Sequence, residues 1–204
     1  MNYTEEELRT IEVVMLKDGD VWNDNSINEI KRRIKLYFRN VNSEQCCYCK
    51  RDLQDEFNLV IDIEHILPKG NVLFRQFMFD IENLNISCKR CNMKIKNKRV
   101  DFIVDLNNII PDYKVSSKYL FIHPNFDNYF DHIDYESTIK NNKKLIKYIA
   151  KTEKGAFTYD YFHLDKIEIN TLNIVQGVEI NNMELNSHLS EEVKTAFLEC
   201  VKKI

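Results

Sequence analysis

Glycine and proline are scarce in this chain: 204 residues hold four glycines and three prolines. So few breakers argue against long flexible linkers. No apolar run approaches the ~18 residues that a membrane-spanning helix needs. No early stretch has the basic-then-apolar organisation of a secretion signal. A soluble, cytoplasmic protein without a membrane partner is expected. Internal repeats, low-complexity tracts and a phosphate-binding glycine loop are also missing. The net charge of -3 gives no chain-wide sign of nucleic-acid binding. Acids are absent from one place, Leu84 to Val100, which carries Lys89, Arg90, Lys94, Lys96, Lys98 and Arg99. A charge run of this kind is commonly a solvated helix face. It can also be a local basic footprint that binds phosphate on an otherwise acidic protein.

The expected fold class is α+β, in three segments: 1–45 helical, 46–110 a metal-bound core, and 111–204 a mixed hairpin and helical region. Thr4 and Glu7 form a capping box before a helix with Leu8, Ile11, Val14 and Met15 on one face. A second capping box, Ser26 with Glu29, opens a helix whose stripe is Ile27, Ile30, Ile34, Tyr37, Phe38 and Val41. These stripes read as core. "LVIDIEHI" is apolar and β-branched and predicts a strand that Pro68 and Gly70 end. "CNMKIKNKR" predicts a short basic helix. "FIHPNFDNYFDHI" reads as an aromatic loop, and the alternation around "KNNK" predicts a hairpin turning at Asn141 and Asn142. "FTYDYFHLDKIEINTLNIVQ" looks helical in its later part. Ser190 begins a last helix carrying Val193, Phe197, Val201 and Ile204.

Six cysteines in a chain without a secretion signal do not suggest disulfides. Four form two C-x-x-C pairs, Cys46 with Cys49 and Cys88 with Cys91. Two residues between cysteines let one tight turn present two sulfurs to one ion, so the pairs predict a structural Zn2+ held by four thiolates. A redox C-x-x-C is the alternative, and two matched pairs fit it poorly. The pairs are far apart for a simple zinc ribbon, so a functional insert lies between them. Cys47 reads as a spectator within the first pair, and Cys200 as core of the last helix.

The insert and its flank carry "CCYC", "IEHILPK" and "ENLNISCKRCNMKIK" in that order. As a set, over roughly residues 46–99, they resemble the HNH endonuclease family. The resemblance implies a ββα metal finger with structural zinc knuckles, a hydrolase of phosphodiester bonds, and DNA as the nucleic-acid partner. It implies His65 as general base, Asn83 as orienting residue, and Asn92 with Glu64 as ligands of a catalytic Mg2+ or Mn2+. Lys69, Lys89, Arg90, Lys94, Lys96, Lys98 and Arg99 are then candidate nucleic-acid contacts. The chemistry agrees: an imidazole titrates near neutrality, and a carboxylate is a hard donor suited to these cations. Glu64 and His65 are neighbours, and strand geometry sends neighbouring side chains to opposite faces. Both can serve one phosphate only if the chain turns there, as Pro68 and Gly70 suggest. One departure concerns Lys96: it stands where some family members have a further histidine ligand, and a charged lysine cannot ligate.

Further along, "FIHPNFDNYFDHI" and "TEKGAFTYDYFHLD" resemble the C-terminal part of HNH proteins found in ATPase-linked anti-phage systems such as Septu and some retrons. That implies an antiviral setting and an ATPase partner subunit. His123, Asp127, Asp131 and His132 are candidates for a second metal site, with hydrogen-bonded packing around Phe126, Tyr129 and Phe130 the favoured reading; His163 and His188 carry no motif. The competing class of function is a zinc-finger nucleic-acid-binding module, or a structural subunit, without catalysis.

Overall fold

The computed structural model of the protein describes residues 1–57 and 59–171. The architecture is mixed α+β, with helices and two small antiparallel sheets. The last helix expected from Ser190, with Cys200 and His188, lies outside the described residues. Among the described residues no helix is long and apolar enough to cross a membrane.

Helix α1 (Glu5–Met15) opens on the expected capping box: Thr4 accepts from the Glu7 N–H, and the Glu7 carboxylate accepts from the Thr4 N–H. Of its expected stripe only Val14 is buried, and Leu8 is exposed. Helix α2 (Asn28–Val41) buries Ile30, Ile34 and Phe38, with Ile27 just before it, while Val41 stands in solvent. Each buried apolar side chain of this size contributes roughly 1.5–3 kcal/mol. Ser26 and Glu29 do not form a capping box. Asp24 accepts from the Ser26 N–H and hydroxyl and caps a 3-10 turn, Asn25–Ile27, that feeds into α2. Glu29 pairs with Arg32 instead. The Asp24 carboxylate, two residues upstream, accepts from the serine hydroxyl itself and takes over the cap.

Strands β1 (Ile61–His65) and β2 (Leu84–Cys88) pair antiparallel, with Ile61 opposite Cys88, Glu64 opposite Asn85 and His65 opposite Leu84. The expected basic helix follows at once as a wide π-type helix, Arg90–Lys96, closed by an i→i−5 hydrogen bond from the Asn97 N–H to the Asn92 carbonyl. The left-handed backbone of Asn97 (φ 46°) ends it. Helix α2 lies against both strands. Its Lys35 donates to the Ile61 carbonyl at 2.7 Å, and Asn42, just past its end, to the Asn85 side chain.

The chain divides into two compact units: Met1–Glu136 with Lys147–Glu168, and Ser137–Ile146 with the chain from Ile169 on. These boundaries cut across the three sequence segments. In the first unit, α3 (Tyr129–His132) and α4 (Glu153–Tyr161) follow an aromatic cluster in which Phe102, Phe121 and Phe162 are fully buried. Arg90 donates to the Phe162 and His163 carbonyls just past the end of α4. Helix α4 covers the start of "FTYDYFHLDKIEINTLNIVQ" and strand β5 (Ile169–Asn170) follows; from residue 172 on, the later part expected to be helical lies outside the described residues. β3 (Ile133–Lys140) and β4 (Lys143–Ala150) form the expected hairpin, with Asn141 left-handed at its turn. In the second unit β5 pairs with β4, Ile146 opposite Ile169.

Gly155 meets the His132 backbone so closely that an added Cβ would lie 2.1 Å from its carbonyl oxygen. Backbone cannot swing aside as a long side chain can. Gly155→Ala is therefore expected to destabilise the protein by about 1–3 kcal/mol or more, despite the better helix propensity of alanine. Urea unfolding measures it; an unchanged or raised midpoint contradicts the packing described.

Candidate functional site

The two C-x-x-C pairs converge. All four cysteines are buried, and their sulfurs lie within 4.8 Å of one another. The first pair sits on a turn held by the Cys46 N–H to the Arg51 carbonyl and the Lys50 N–H to the Cys46 carbonyl, with Lys50 left-handed at φ 52°. The second pair joins the end of β2 to the π-helix. The Cys88 N–H points at the Cys46 sulfur at 3.3 Å, and the Tyr148 hydroxyl holds the Cys49 carbonyl. Four sulfurs around Zn2+ at ~2.3 Å lie ~3.8 Å apart in a regular tetrahedron; the Cys49 and Cys88 sulfurs are 3.8 Å apart. The donor set fits a four-coordinate soft metal. Cys47 stays outside it, its N–H bonded to the Ile86 carbonyl.

Between the strands, Asn83 holds the chain where β1 ends. Its side-chain oxygen accepts from the Leu67 N–H at 2.7 Å, and its amide nitrogen donates to the Leu67 and Phe77 carbonyls. Asn83 thus fixes the segment after His65 by both backbone groups of one residue. His65 is almost buried. Its Nε2 lies 3.1 Å from the Met78 carbonyl. A carbonyl only accepts, so Nε2 carries the proton and Nδ1 keeps its lone pair. Trp22 packs edge-on to the imidazole with ring centres 4.4 Å apart. Burial, aided by Lys69 and Lys96, pushes the His65 pKa down to about 3.

Glu64 does not join His65. β1 stays regular through His65, so the two neighbours point to opposite sides. Glu64 is wholly buried beneath the π-helix. It pairs with Lys96 at 2.7 Å and accepts from the Tyr48 hydroxyl at 3.1 Å. Lys96 is equally buried and also donates to the His65 carbonyl at 2.8 Å. Burial raises the Glu64 pKa, and Lys96 opposes that rise. The expected pairing of Glu64 with Asn92 is therefore replaced by Glu64 with Lys96, and Lys96 is not exposed to a phosphate. The carboxylate beside Asn92 is Asp62, which accepts from Asn92 at 3.1 Å and from Lys89 at 2.7 Å.

His65, Asp62 and Asn92 open onto one groove of about 1150 Å³. That exceeds the ~300–1,000 Å³ of small-molecule sites. Among the described residues its walls carry seven cations, Lys31, Arg32, Lys35, Arg39, Lys69, Lys89 and Lys98, against the acids Glu44 and Asp62. Three of the expected basic contacts, Lys69, Lys89 and Lys98, line it. Arg90 is turned to the end of α4, Arg99 pairs with Asp101, and Lys94 is exposed but not part of this wall. Sequence reasoning missed Asp62 and the four cations of α2. The signal was present in "NEIKRRIKLYFRN", whose basic face recurs at helical spacing opposite the apolar stripe.

The histidine cluster further along is packing. His123 stacks on Phe126 at 4.1 Å and accepts from the Asn125 N–H, while Asp127 pairs with Lys154 at 2.6 Å. His132 bonds Thr152, and Asp131 bonds Asn128. Compared with protein-family models, curated proteins and solved structures, the chain matches none.

The cysteine geometry predicts one tightly bound zinc per chain. Elemental analysis of purified protein should find it, and Cys88→Ser should release it and lower thermal stability sharply, since such sites contribute folding energy directly. Zinc-free protein of undiminished stability contradicts the assignment.

His65 and His123 are both held at about 3 by burial. Their unfolded forms take a proton near pH 6.5, while the folded forms do not until about 3. Their contribution is thus complete above pH 6.5 and lost as pH falls towards 3, with a slope of up to ~1.4 kcal/mol per pH unit for each. The stability of His65→Asn should fall less steeply between pH 7 and 5 than that of the parent, as measured by urea unfolding. Equal slopes refute the buried-histidine account.

Proposed function

We propose that the protein is a metal-dependent endonuclease of HNH type, hydrolysing phosphodiester bonds of DNA with His65 as general base. The observation that carries this reading is the convergence of a base, a carboxylate and an amide on one basic groove. The strand–strand–helix order, the Asn83 clamp and the four-cysteine cluster support it. His65 donates through Nε2 to Met78, so Nδ1 is the atom that accepts a proton, and at neutral pH the ring is in its accepting form. Water attacks phosphorus, its proton passes to Nδ1, the P–O bond breaks, and the departing oxygen takes a proton from solvent. Asp62, with the amide oxygen of Asn92, offers the hard donors for Mg2+ or Mn2+. Such an ion, when bound, neutralises charge on the scissile phosphate. Lys69, Lys89 and Lys98 line the groove where the backbone would lie. The ATPase partner and antiviral setting are part of the proposal through the resemblance alone; co-purification from the native host tests them.

One observation favours the second reading, a binding module without catalysis. The buried Glu64–Lys96 pair sets a lysine ammonium between the hairpin and the π-helix and takes one carboxylate out of use.

A plasmid-nicking assay with added Mg2+ or Mn2+ decides between them. His65→Ala should lower the rate by about 10²–10⁴-fold with zinc content and affinity retained. Asp62→Asn should be similarly slow and partly rescued by raised Mn2+. Glu64→Gln, if it remains folded, should retain more activity than Asp62→Asn; the reverse order makes Glu64 the working carboxylate. Wild-type protein that binds DNA without nicking it returns the groove to the binding-module reading.

A further inference from the structure

We infer that the groove receives an unpaired, single-stranded stretch of nucleic acid, with its bases against an apolar track and its phosphates on the α2 cations. This rests on the nucleic-acid reading above and narrows it. The first observation is what lies between the charges. Leu36, Leu59 and Met93 all line the groove, and they are 54%, 83% and 58% exposed. Single exposed aliphatic side chains are ordinary. Three in one groove, whose lining also includes the half-buried Trp22, are apolar surface that water covers at a cost. A duplex turns phosphates and sugars outward and keeps its base faces stacked inside, so it would set charge against these side chains. An unpaired strand presents both phosphates and flat apolar bases, the combination such a mixed groove matches.

The second observation is the placement of the charges. Lys31, Lys35 and Arg39 recur every four residues along α2, ~6 Å apart along the axis. They follow one another along α2, and Lys89 lines the same groove where it bonds Asp62. Lys31 and Lys35 donate to the Trp22 and Ile61 carbonyls, and Arg39 pairs with Glu44, so their heads are fixed at the wall. Anchored cations lose little freedom when a phosphate arrives. Among the described residues of the groove seven cations stand against two acids, which argues for a polyanion and against an apolar peptide.

The test uses the full chain without added divalent cation, so that binding is read apart from cleavage. The probes are a labelled oligothymidylate, a duplex of matched length, and an abasic strand of the same charge. Trp22, the only tryptophan of the chain, gives a second signal through its fluorescence. The oligothymidylate should bind about tenfold or more tighter than the duplex and change Trp22 emission. The abasic strand should lose about tenfold, since it leaves the apolar side chains of the groove uncovered. Leu59→Ser with Met93→Ser should weaken single-strand binding and keep its salt slope. Lys31→Gln with Lys35→Gln should weaken it and flatten the slope by about 1.4, the share of two phosphate contacts. Duplex and abasic strand binding as tightly as oligothymidylate overturns the single-strand inference while keeping the nucleic-acid reading. No salt-dependent binding of any probe overturns both.

Discussion

A lysine ammonium and a glutamate carboxylate meet with no water around them, and the site's layout depends on that contact. Desolvating two such charges costs several kcal/mol per ion, and only close geometry with further hydrogen bonds offsets it. Here the offsets are visible: Lys96 has Glu64 and the His65 carbonyl, and Glu64 has Lys96 and the Tyr48 hydroxyl. The pair ties the end of β1 to the last turn of the π-helix. Asp62 and Glu64 lie on the same side of β1, two residues apart. The pair encloses Glu64 beneath the helix and leaves Asp62 at the helix start, where the groove opens. His65, held by Trp22 and the Met78 carbonyl on the other side of β1, lines the same groove. The buried contact therefore decides which of the two β1 carboxylates faces the groove and which is structural.

The four-cysteine cluster and this pair act on opposite ends of the same short sheet. Cys88 ends β2, and Cys91 lies in the first turn of the π-helix, so four sulfurs hold the hairpin–helix corner. Lys96 closes the other end of that helix. Between them Lys89 and Asn92 are presented to Asp62 without needing flexible side chains to find each other. The groove then gains its second wall from α2, whose apolar stripe packs on the strands while its basic face is left over the opening.

The parts legible in the sequence were those with local causes. The capping box at Thr4, the hairpin around Asn141, the strand before Pro68 and the convergence of the cysteine pairs all follow from residues within a few positions, or from one ion's demand for four sulfurs. The bonds of Asn83 to Leu67 and Phe77 are contacts that no local pattern announces. What escaped depends on which face a helix covers. Glu64 and Asp62 are equivalent as residue types; only the position of Lys96 over one of them separates their roles. The α2 cations went unnoticed because the groove they overlook is made by β1, some thirty residues away. At Ser26 two local rules competed, and Asp24 prevailed.

The Asn83 clamp bears on how this molecule tolerates change in length. It closes the segment between the strands at its base, and Met78 and Phe77 supply the carbonyls that His65 and Asn83 require. The outer part, around Asn71 and the exposed Val72, makes no bond to either. Loop-closure entropy rises only slowly with length, by about 0.6 kcal/mol per doubling. Residues inserted near Val72 leave the base of the segment and the imidazole where they are, whereas one residue inserted between Phe77 and Asn83 displaces both. The segment between the strands thus carries a site for insertion where new sequence can be added without displacing the side chains held at its base.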